Sequence, residues 1–273
     1  MTSAALARCV PVATVASPAV GELLQLRTNH VSLGSHLRAV FGPARDGAAA
    51  TPTLDFEHWE HPWPRWVLRA GDTAPRGIPS HALFDQLDEA IAARIARLGY
   101  LVVAGASVVI GGRAALVVTS DAQQRMAIAK ALADHGCRLI SHGSAVVGPD
   151  CAAVPTLLPV LVGTWAPWWP ARPAPVVAEI GAHGQFVPIT EIDPQAVAER
   201  VQLHAVVEIV PGDTASLENL GQAQTALSVL SAGRGDPSMP LVEELARSAI
   251  GLRLSTAMSD AGTAVEMLIE ALT

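Results

Sequence analysis

The chain has 273 residues, half of them hydrophobic, and a formal net charge of −7. This composition predicts a globular protein with a sizeable core, and acidic charge without a basic block disfavours a nucleic-acid partner held through its phosphates. The three cysteines form no CxxC pair, which disfavours a disulfide framework or a zinc knuckle and predicts a reducing, cytoplasmic location.

Residues 1–80 are predicted to form a small N-terminal annex packed on a core. Their start lacks the charged and apolar regions of a signal peptide, and no later stretch has the length of a membrane span. The annex contains the segment "EHWEH", whose possible metal ligands are Glu57, His58, Glu60 and His61. Because no helix places these side chains on one face, a solvated loop is favoured over a metal site.

Residues 81–273 are predicted to form the core. Apolar residues recur every fourth position from Leu83 to Ile95, which predicts a helix ending at Gly99. "YLVVAGASVVIGG" then predicts two β-rich pieces around Gly105 and a hairpin turn at Gly111 and Gly112.

The next segments alternate strand, helix and strand. "RAALVV" is a predicted strand, "TSDAQQ" a turn, "RMAIAKALADHG" a helix and "CRLIS" a second strand, followed by the apolar stretch "SAVVGP". Residues 152–175 are rich in proline and tryptophan and allow at best short edge strands. A strand "AVVEIVP", a helix opened by Ser216, and helices near 240–250 and 260–272 complete an α/β fold with a central sheet flanked by helices.

The turn after "RAALVV" lies where a phosphate-binding loop, GxxxxGK[ST], would lie. Its eight positions are Thr119, Ser120, Asp121, Ala122, Gln123, Gln124, Arg125 and Met126. Thr119 and Gln124 replace both glycines, so the loop loses the backbone freedom that a phosphate cradle needs. Arg125 can supply a positive charge, but Met126 cannot bind magnesium. The pattern therefore predicts no ATP binding and no cofactor.

Residues 90–150 resemble the HPr kinase/phosphorylase-like P-loop proteins, because "LVVAGASVVIGGRAALVVTSDAQQRMAIAKALADHGCRLISHGSAVV" aligns with their core pattern without a gap. The resemblance implies a truncated, degenerate HPr kinase-like core. In that family a pair of aspartates after the second strand supplies catalytic and metal-binding carboxylates. His142 and Gly143 occupy those positions here. Without the lysine, the hydroxyl and the carboxylates, the resemblance implies a pseudoenzyme.

Members of this kind occur with enzymes of ribosomal peptide biosynthesis, and some inactive ones only bind the peptide. In overall character the chain resembles the peptide-binding accessory proteins of crocagin-type biosynthesis. The resemblance implies a non-catalytic protein that presents a precursor peptide, leader or core, to the modifying enzymes of its pathway. It leaves a homodimer open, although no coiled-coil pattern indicates one.

Tryptophans are the main peptide-binding candidates. Trp59, Trp63 and Trp66 lie close together in sequence, and Trp165, Trp168 and Trp169 form a second group. A lid of buried indoles and an exposed platform for a peptide are equally compatible with this pattern. Arg125 could bind a partner's carboxylate, although a solvated arginine is favoured.

Two other functions remain open. A diverged kinase would use ATP through Arg125 with Asp121 or Asp134, and a structural subunit of a biosynthetic complex would bind protein but not peptide. An extended peptide would add to a sheet edge, either in residues 152–175 or in the annex, and the sequence does not choose between them.

Overall fold

The structure is a computed structural model that describes residues 9–45, 52–60, 65–71, 73–119, 121–163 and 179–273. Its contacts divide the chain into two units, Met1–Ile91 with Leu161–Val187, and Ala92–Val160 with Pro188–Thr273. The border between the units follows Ile91, whereas the predicted border follows residue 80. Residues 161–187 also belong to the first unit.

The first unit contains a five-stranded sheet with a helix that packs against it. The strands lie in chain order, and only β2 and β3 run parallel. The elements are β1 (Val10–Ser17), β2 (Gly21–Thr28), α1 (Val31–Phe41), β3 (Thr53–Trp59), β4 (Arg65–Ala70) and β5 (Arg76–Ile78). Two short strands, β10 (Val160–Val162) and β11 (Gln185–Val187), pair with each other.

The second unit is built on a seven-stranded sheet with the order β13-β14-β12-β7-β6-β8-β9. Its strands are β6 (Leu101–Ile110), β7 (Arg113–Val118), β8 (Arg138–Val147), β9 (Ala152–Val154), β12 (Val201–Pro211), β13 (Ser216–Leu220) and β14 (Ile250–Thr256). Strand β12 runs parallel to both β7 and β14. Because β9 also pairs with the start of β12, the five strands from β12 to β9 close into a ring.

Helices cover both faces of this sheet. Four helices pack against its strands: α3 (Ala122–Asp134), α5 (Gln222–Ser231), α6 (Met239–Ser248) and α7 (Ala261–Leu272). Two more helices are α2 (Leu83–Arg97), whose residues 83–91 belong to the first unit, and the short α4 (Ile189–Ile192). On one face, Val206 shares a buried cluster with Val229 of α5 and Leu245 of α6. The neighbouring Val207, whose side chain points to the opposite face, is also fully buried. The predicted α/β class with a flanked central sheet is confirmed.

Glycine conformations account for several element boundaries. Gly111 and Gly112 have φ values of 55° and 84°, which fit the two central positions of a tight hairpin turn between β6 and β7. Gly99 and Gly136 follow α2 and α3 with φ values of 88° and 79°, a region that favours glycine at helix ends. The ends predicted for these two helices are confirmed.

Three predicted elements differ from the structure. Ser216 does not open a helix: residues 216–220 form β13, which pairs antiparallel with β14, and α5 begins at Gln222. The spacing of Leu217 and Leu220 fits a helix. However, the edge of β14 that faces away from β12 offers backbone hydrogen bonds to these residues, and the spacing of side chains gives no sign of that edge. Strand β6 is continuous through Gly105, and α3 begins at Ala122, three residues before the predicted start.

Among the described residues, no helix has both the length and the apolar character needed to cross a membrane.

Candidate functional site

The loop that follows β7 is filled by the side chains of the chain itself. Asp121 caps α3, and its Oδ1 accepts hydrogen bonds from the backbone N–H groups of Gln123 (2.8 Å) and Gln124 (3.1 Å). Thr119 Oγ1 accepts from the N–H of Asp121 at 3.1 Å. The amides that a phosphate loop would turn toward its ligand therefore bind a protein carboxylate. Ser120 lies outside the described residues.

Gln124 and Met126 anchor this turn to the core. Gln124 is only 3% exposed, and its Nε2 donates to the carbonyl oxygens of Val210 (3.3 Å) and Thr256 (3.1 Å), at the ends of β12 and β14. Met126 is 1% exposed and belongs to the core, whereas Ala122 is exposed at the first position of α3. Gln124 therefore serves to hold α3 against the strand ends.

Arg125 folds back onto the loop. It is half-buried, and its Nη1 donates to the carbonyl oxygen of Thr119 at 3.2 Å. Its charge also acts on His142 of β8, whose imidazole is buried. Burial first, and the Arg125 charge second, lower the pKa of His142 to about 3. His142 is therefore a neutral core residue at physiological pH.

Gly143 follows His142 and lies opposite Gly105 of β6. Its φ of 83° is a conformation that favours glycine. A Cβ atom on Gly105 would lie 2.4 Å from the carbonyl oxygen of Val117, so β6 and β7 approach closely here. Positions 142 and 143 therefore hold a buried imidazole and a glycine in a left-handed conformation.

A cleft of about 450 Å³ opens at the carboxyl ends of β7 and β12. Its polar side chains are Thr119, Asp121, Glu208, Ser228 and Ser231. From β7 the chain passes through α3 to β8, which lies on one side of the β7–β12 pair in the strand order. From β12 it continues to β13 and β14, which lie on the other side of that pair. In doubly wound α/β sheets, ligands bind at a reversal of this kind between neighbouring parallel strands. Sequence reasoning identified Thr119 and Asp121 but missed the other three.

A row of ion pairs crosses the sheet beside the cleft. Arg253 of β14 donates from Nε to Glu208 Oε2 of β12 at 2.7 Å and from Nη1 to Glu218 Oε1 of β13 at 3.0 Å. The three residues are aligned in register across adjacent strands, so their side chains share one face. Glu208 is the single charge within the apolar run "AVVEIV", and that contrast was the available sequence signal for it.

Two of the six candidate tryptophans lie on paired strands of the first unit. Trp59 of β3 donates from Nε1 to Glu57 Oε2 at 2.8 Å, and the Arg65 guanidinium stacks 4.7 Å from its ring centre. Trp66 of β4 is 2% exposed, and the centres of its ring and of the His58 ring are 5.0 Å apart. Trp66 is therefore a core residue. Trp63, Trp165, Trp168 and Trp169 lie outside the described residues.

The "EHWEH" segment does not form a solvated loop over its first residues. Glu57 and His58 are adjacent in β3, so their side chains point to opposite faces of the sheet. Glu57 is buried and pairs with Arg69 at 3.5 Å. His61 lies outside the described residues, and within the described ranges no three His, Cys, Asp or Glu side chains are grouped so that they could hold a metal ion.

The candidate sheet edges differ in accessibility. Strand β9 has partners on both sides. The outer edge of β1 is partly covered, because Arg38 Nε donates to the Val12 carbonyl oxygen at 3.4 Å and Pro43 forms a bridge with Ala13. Among the described strands, β5 of the annex pairs only with β4, and β10 only with β11, but each has three residues. Strand β13 also has one described strand partner, β14, and it is longer, with five residues.

The first unit also holds a groove of about 380 Å³ between the start of β1 and α1. Val12 and Gly34 lie at buried positions in its wall, and Val10 and Val31 are 58% and 84% exposed at its rim.

No known protein-family model matches the chain, and no curated protein matches it. Among solved structures, the Hpr(Ser) kinase/phosphatase from Coxiella burnetii is similar over 63% of this chain and 95% of that chain. The two share 8% identity, with a TM-score of 0.33.

Proposed function

We propose that this protein binds an extended peptide without converting it, and that it presents a ribosomally made precursor peptide to modifying enzymes of natural-product biosynthesis. The proposal has two parts, the absence of phosphoryl transfer and the recognition of a peptide, and each is supported by a different part of the second unit.

The observation that carries the proposal is the occupied loop after β7. Phosphoryl transfer needs backbone amides and cations that neutralise the phosphates. Here the Asp121 carboxylate takes the first amides of α3, and Arg125 turns back to the Thr119 carbonyl. A triphosphate in the cleft would face the carboxylates of Asp121 and Glu208. The like charges would oppose nucleotide binding.

Peptide recognition is supported by the edge of β13. This strand extends for five residues, Ser216–Leu220, and it has one described strand partner, β14. Three of its residues are exposed and the other two are half-buried. An added peptide strand would satisfy the backbone groups on the outer side of β13, and those hydrogen bonds would hold the peptide extended.

The first experiment is calorimetric titration of the full chain with magnesium-ATP, together with selection of binders from a display library of random linear peptides. We expect no heat from magnesium-ATP and saturable binding of selected peptides. Saturable magnesium-ATP binding would overturn the non-catalytic part in favour of a diverged kinase. Failure of the library to yield any binder would overturn peptide recognition in favour of a structural subunit.

The binding mode is tested with the best selected peptide. Two versions are synthesised, with backbone N-methyl groups on either the odd or the even residues. Because alternate amides of a strand point to opposite sides, only one version should lose binding. Hydrogen exchange should slow in residues 216–220 when the unmodified peptide binds. Equal binding by both methylated versions, or slowed exchange only elsewhere, would rule out addition to β13.

A further inference from the structure

We infer that the cleft at the ends of β7 and β12 binds a small organic cation that carries an amine or guanidinium group. This site is separate from the β13 edge and does not depend on peptide recognition. Its volume of about 450 Å³ falls within the range of small-molecule sites. It also lies at a reversal of strand order, the kind of position where doubly wound α/β sheets bind ligands.

The first argument is the charge of the lining. Asp121 and Glu208 both line the cleft, and none of the described residues that line it is a lysine or an arginine. Arg253 approaches only as the ion-pair partner of Glu208 and is shared with Glu218. The Arg125 guanidinium also lies close, since its Nη1 donates to the carbonyl oxygen of the lining residue Thr119 at 3.2 Å. Three carboxylates, those of Asp121, Glu208 and Glu218, outnumber these two guanidiniums and leave a net negative site, which favours a cationic ligand.

The second argument is that the cleft offers hydrogen-bond acceptors. The capping bonds of Asp121 use Oδ1, and the ion pair of Glu208 uses Oε2. These bonds do not use Asp121 Oδ2 or Glu208 Oε1. The hydroxyl groups of Ser228 and Ser231 donate to the carbonyl oxygens of Gln224 and Ser228 at 3.0 and 2.9 Å. Their own oxygen atoms can therefore act only as acceptors toward a ligand. A ligand rich in N–H donors matches this surface.

The third argument is rigidity. Gln124 ties the start of α3 to the carbonyl oxygens of Val210 and Thr256, so the loop that carries Asp121 is fixed to the strands that carry Glu208 and Arg253. The two carboxylates are therefore held before the ligand arrives, which lowers the entropy cost of binding.

The test uses agmatine, which carries both an amine and a guanidinium, titrated into the full chain. Butanediol is the neutral comparison, and succinate and magnesium-ATP are the anionic ones. We expect saturable binding of agmatine alone, weakened by added salt. No binding of agmatine, or binding of succinate or magnesium-ATP of similar strength, would overturn the inference.

The variants Asp121→Asn and Glu208→Gln remove one charge each at nearly constant size, and asparagine still caps a helix. Each should weaken agmatine binding by about tenfold or more, the usual effect of losing a charge-assisted hydrogen bond. Glu266→Gln on α7 makes the same charge change at an exposed position outside the cleft and should leave binding unchanged. Equal effects of all three variants would show that net charge, not the cleft, attracts the cation.

A short arginine-containing peptide distinguishes a free cation from a peptide side chain. If it competes with agmatine, the group recognised is a side chain. If only agmatine binds, the ligand is a small molecule. The display library can fail to yield a peptide binder while agmatine still binds. The two proposals are therefore tested independently.

Discussion

His142 is a buried base, and a hydrogen bond with the backbone of Arg125 offsets only part of the effect of burial on its pKa. It is 7% exposed, and neither ring nitrogen makes a hydrogen bond of good geometry to a described residue. Arg125 adds a positive charge nearby. The pKa of His142 is therefore lower in the native protein than in the unfolded chain, and this difference makes the free energy of unfolding depend on pH.

We expect the free energy of unfolding to fall as pH drops from the ordinary pKa of histidine toward the native value of about 3. In this window the unfolded His142 is protonated and the native one is not, which costs up to about 1.4 kcal/mol per pH unit. Above the ordinary pKa both states are neutral and the effect is absent. His142→Leu should reduce this loss of stability, while His30 and His36, whose pKa values burial also lowers, keep their share. Urea unfolding at about pH 7 and about pH 5 measures the difference.

The control is His183→Leu, at an exposed histidine. It should leave the pH profile close to that of the parent protein. If His142→Leu and the parent lose stability equally between the two pH values, the buried imidazole is not the source of the acid sensitivity.

At the scale of elements, the close contact between β6 and β7 depends on Gly105. A Cβ atom at this position would meet a backbone atom first, the Val117 carbonyl oxygen at 2.4 Å, so no rotamer change can relieve the clash. The same strand is hydrogen-bonded to β8 on its other side. The strand pair is therefore intolerant of even one added methyl group.

Gly105→Ala should destabilise the second unit by about 1–3 kcal/mol, the usual cost of forcing extra volume into a packed region. Gly262→Ala is the matched control, because a Cβ there meets no atom within 4 Å and alanine favours the helix. Urea unfolding of both variants checks the prediction. A Gly105→Ala protein as stable as the parent would mean that β6 and β7 can separate at little cost.

At the scale of the whole chain, all three cysteines are free and buried, with Cys9 in the first unit and Cys137 and Cys151 in the second. Burial raises the pKa of each thiol, that of Cys9 to about 11 with help from the Glu57 and Asp55 carboxylates. Thiol reactivity therefore reports the opening of each unit without an added probe.

We expect all three thiols to react with a disulfide reagent about a hundredfold or more slowly in the native protein than in urea, because reaction requires local opening. Variants that retain a single cysteine, with alanine at the other two positions, assign each rate to a unit. Fast labelling of Cys9 alone would show that its strand edge opens readily, and fast labelling of all three would contradict the burial of the thiols.

The sequence determined the features that depend on local pattern. Apolar periodicity and glycine located α2, the β6–β7 hairpin, and the strand, helix and strand of β7, α3 and β8. Only the tertiary structure decided between helix and strand at residues 216–220, because pairing with β14 outweighs a weak helical spacing. It also decided the bonds from Gln124 to Val210 and Thr256, which are 86 and 132 residues away in sequence. The cleft residues Glu208 and Ser228 become neighbours of Asp121 for the same reason: contacts between distant segments depend on strand order, which local propensity does not encode.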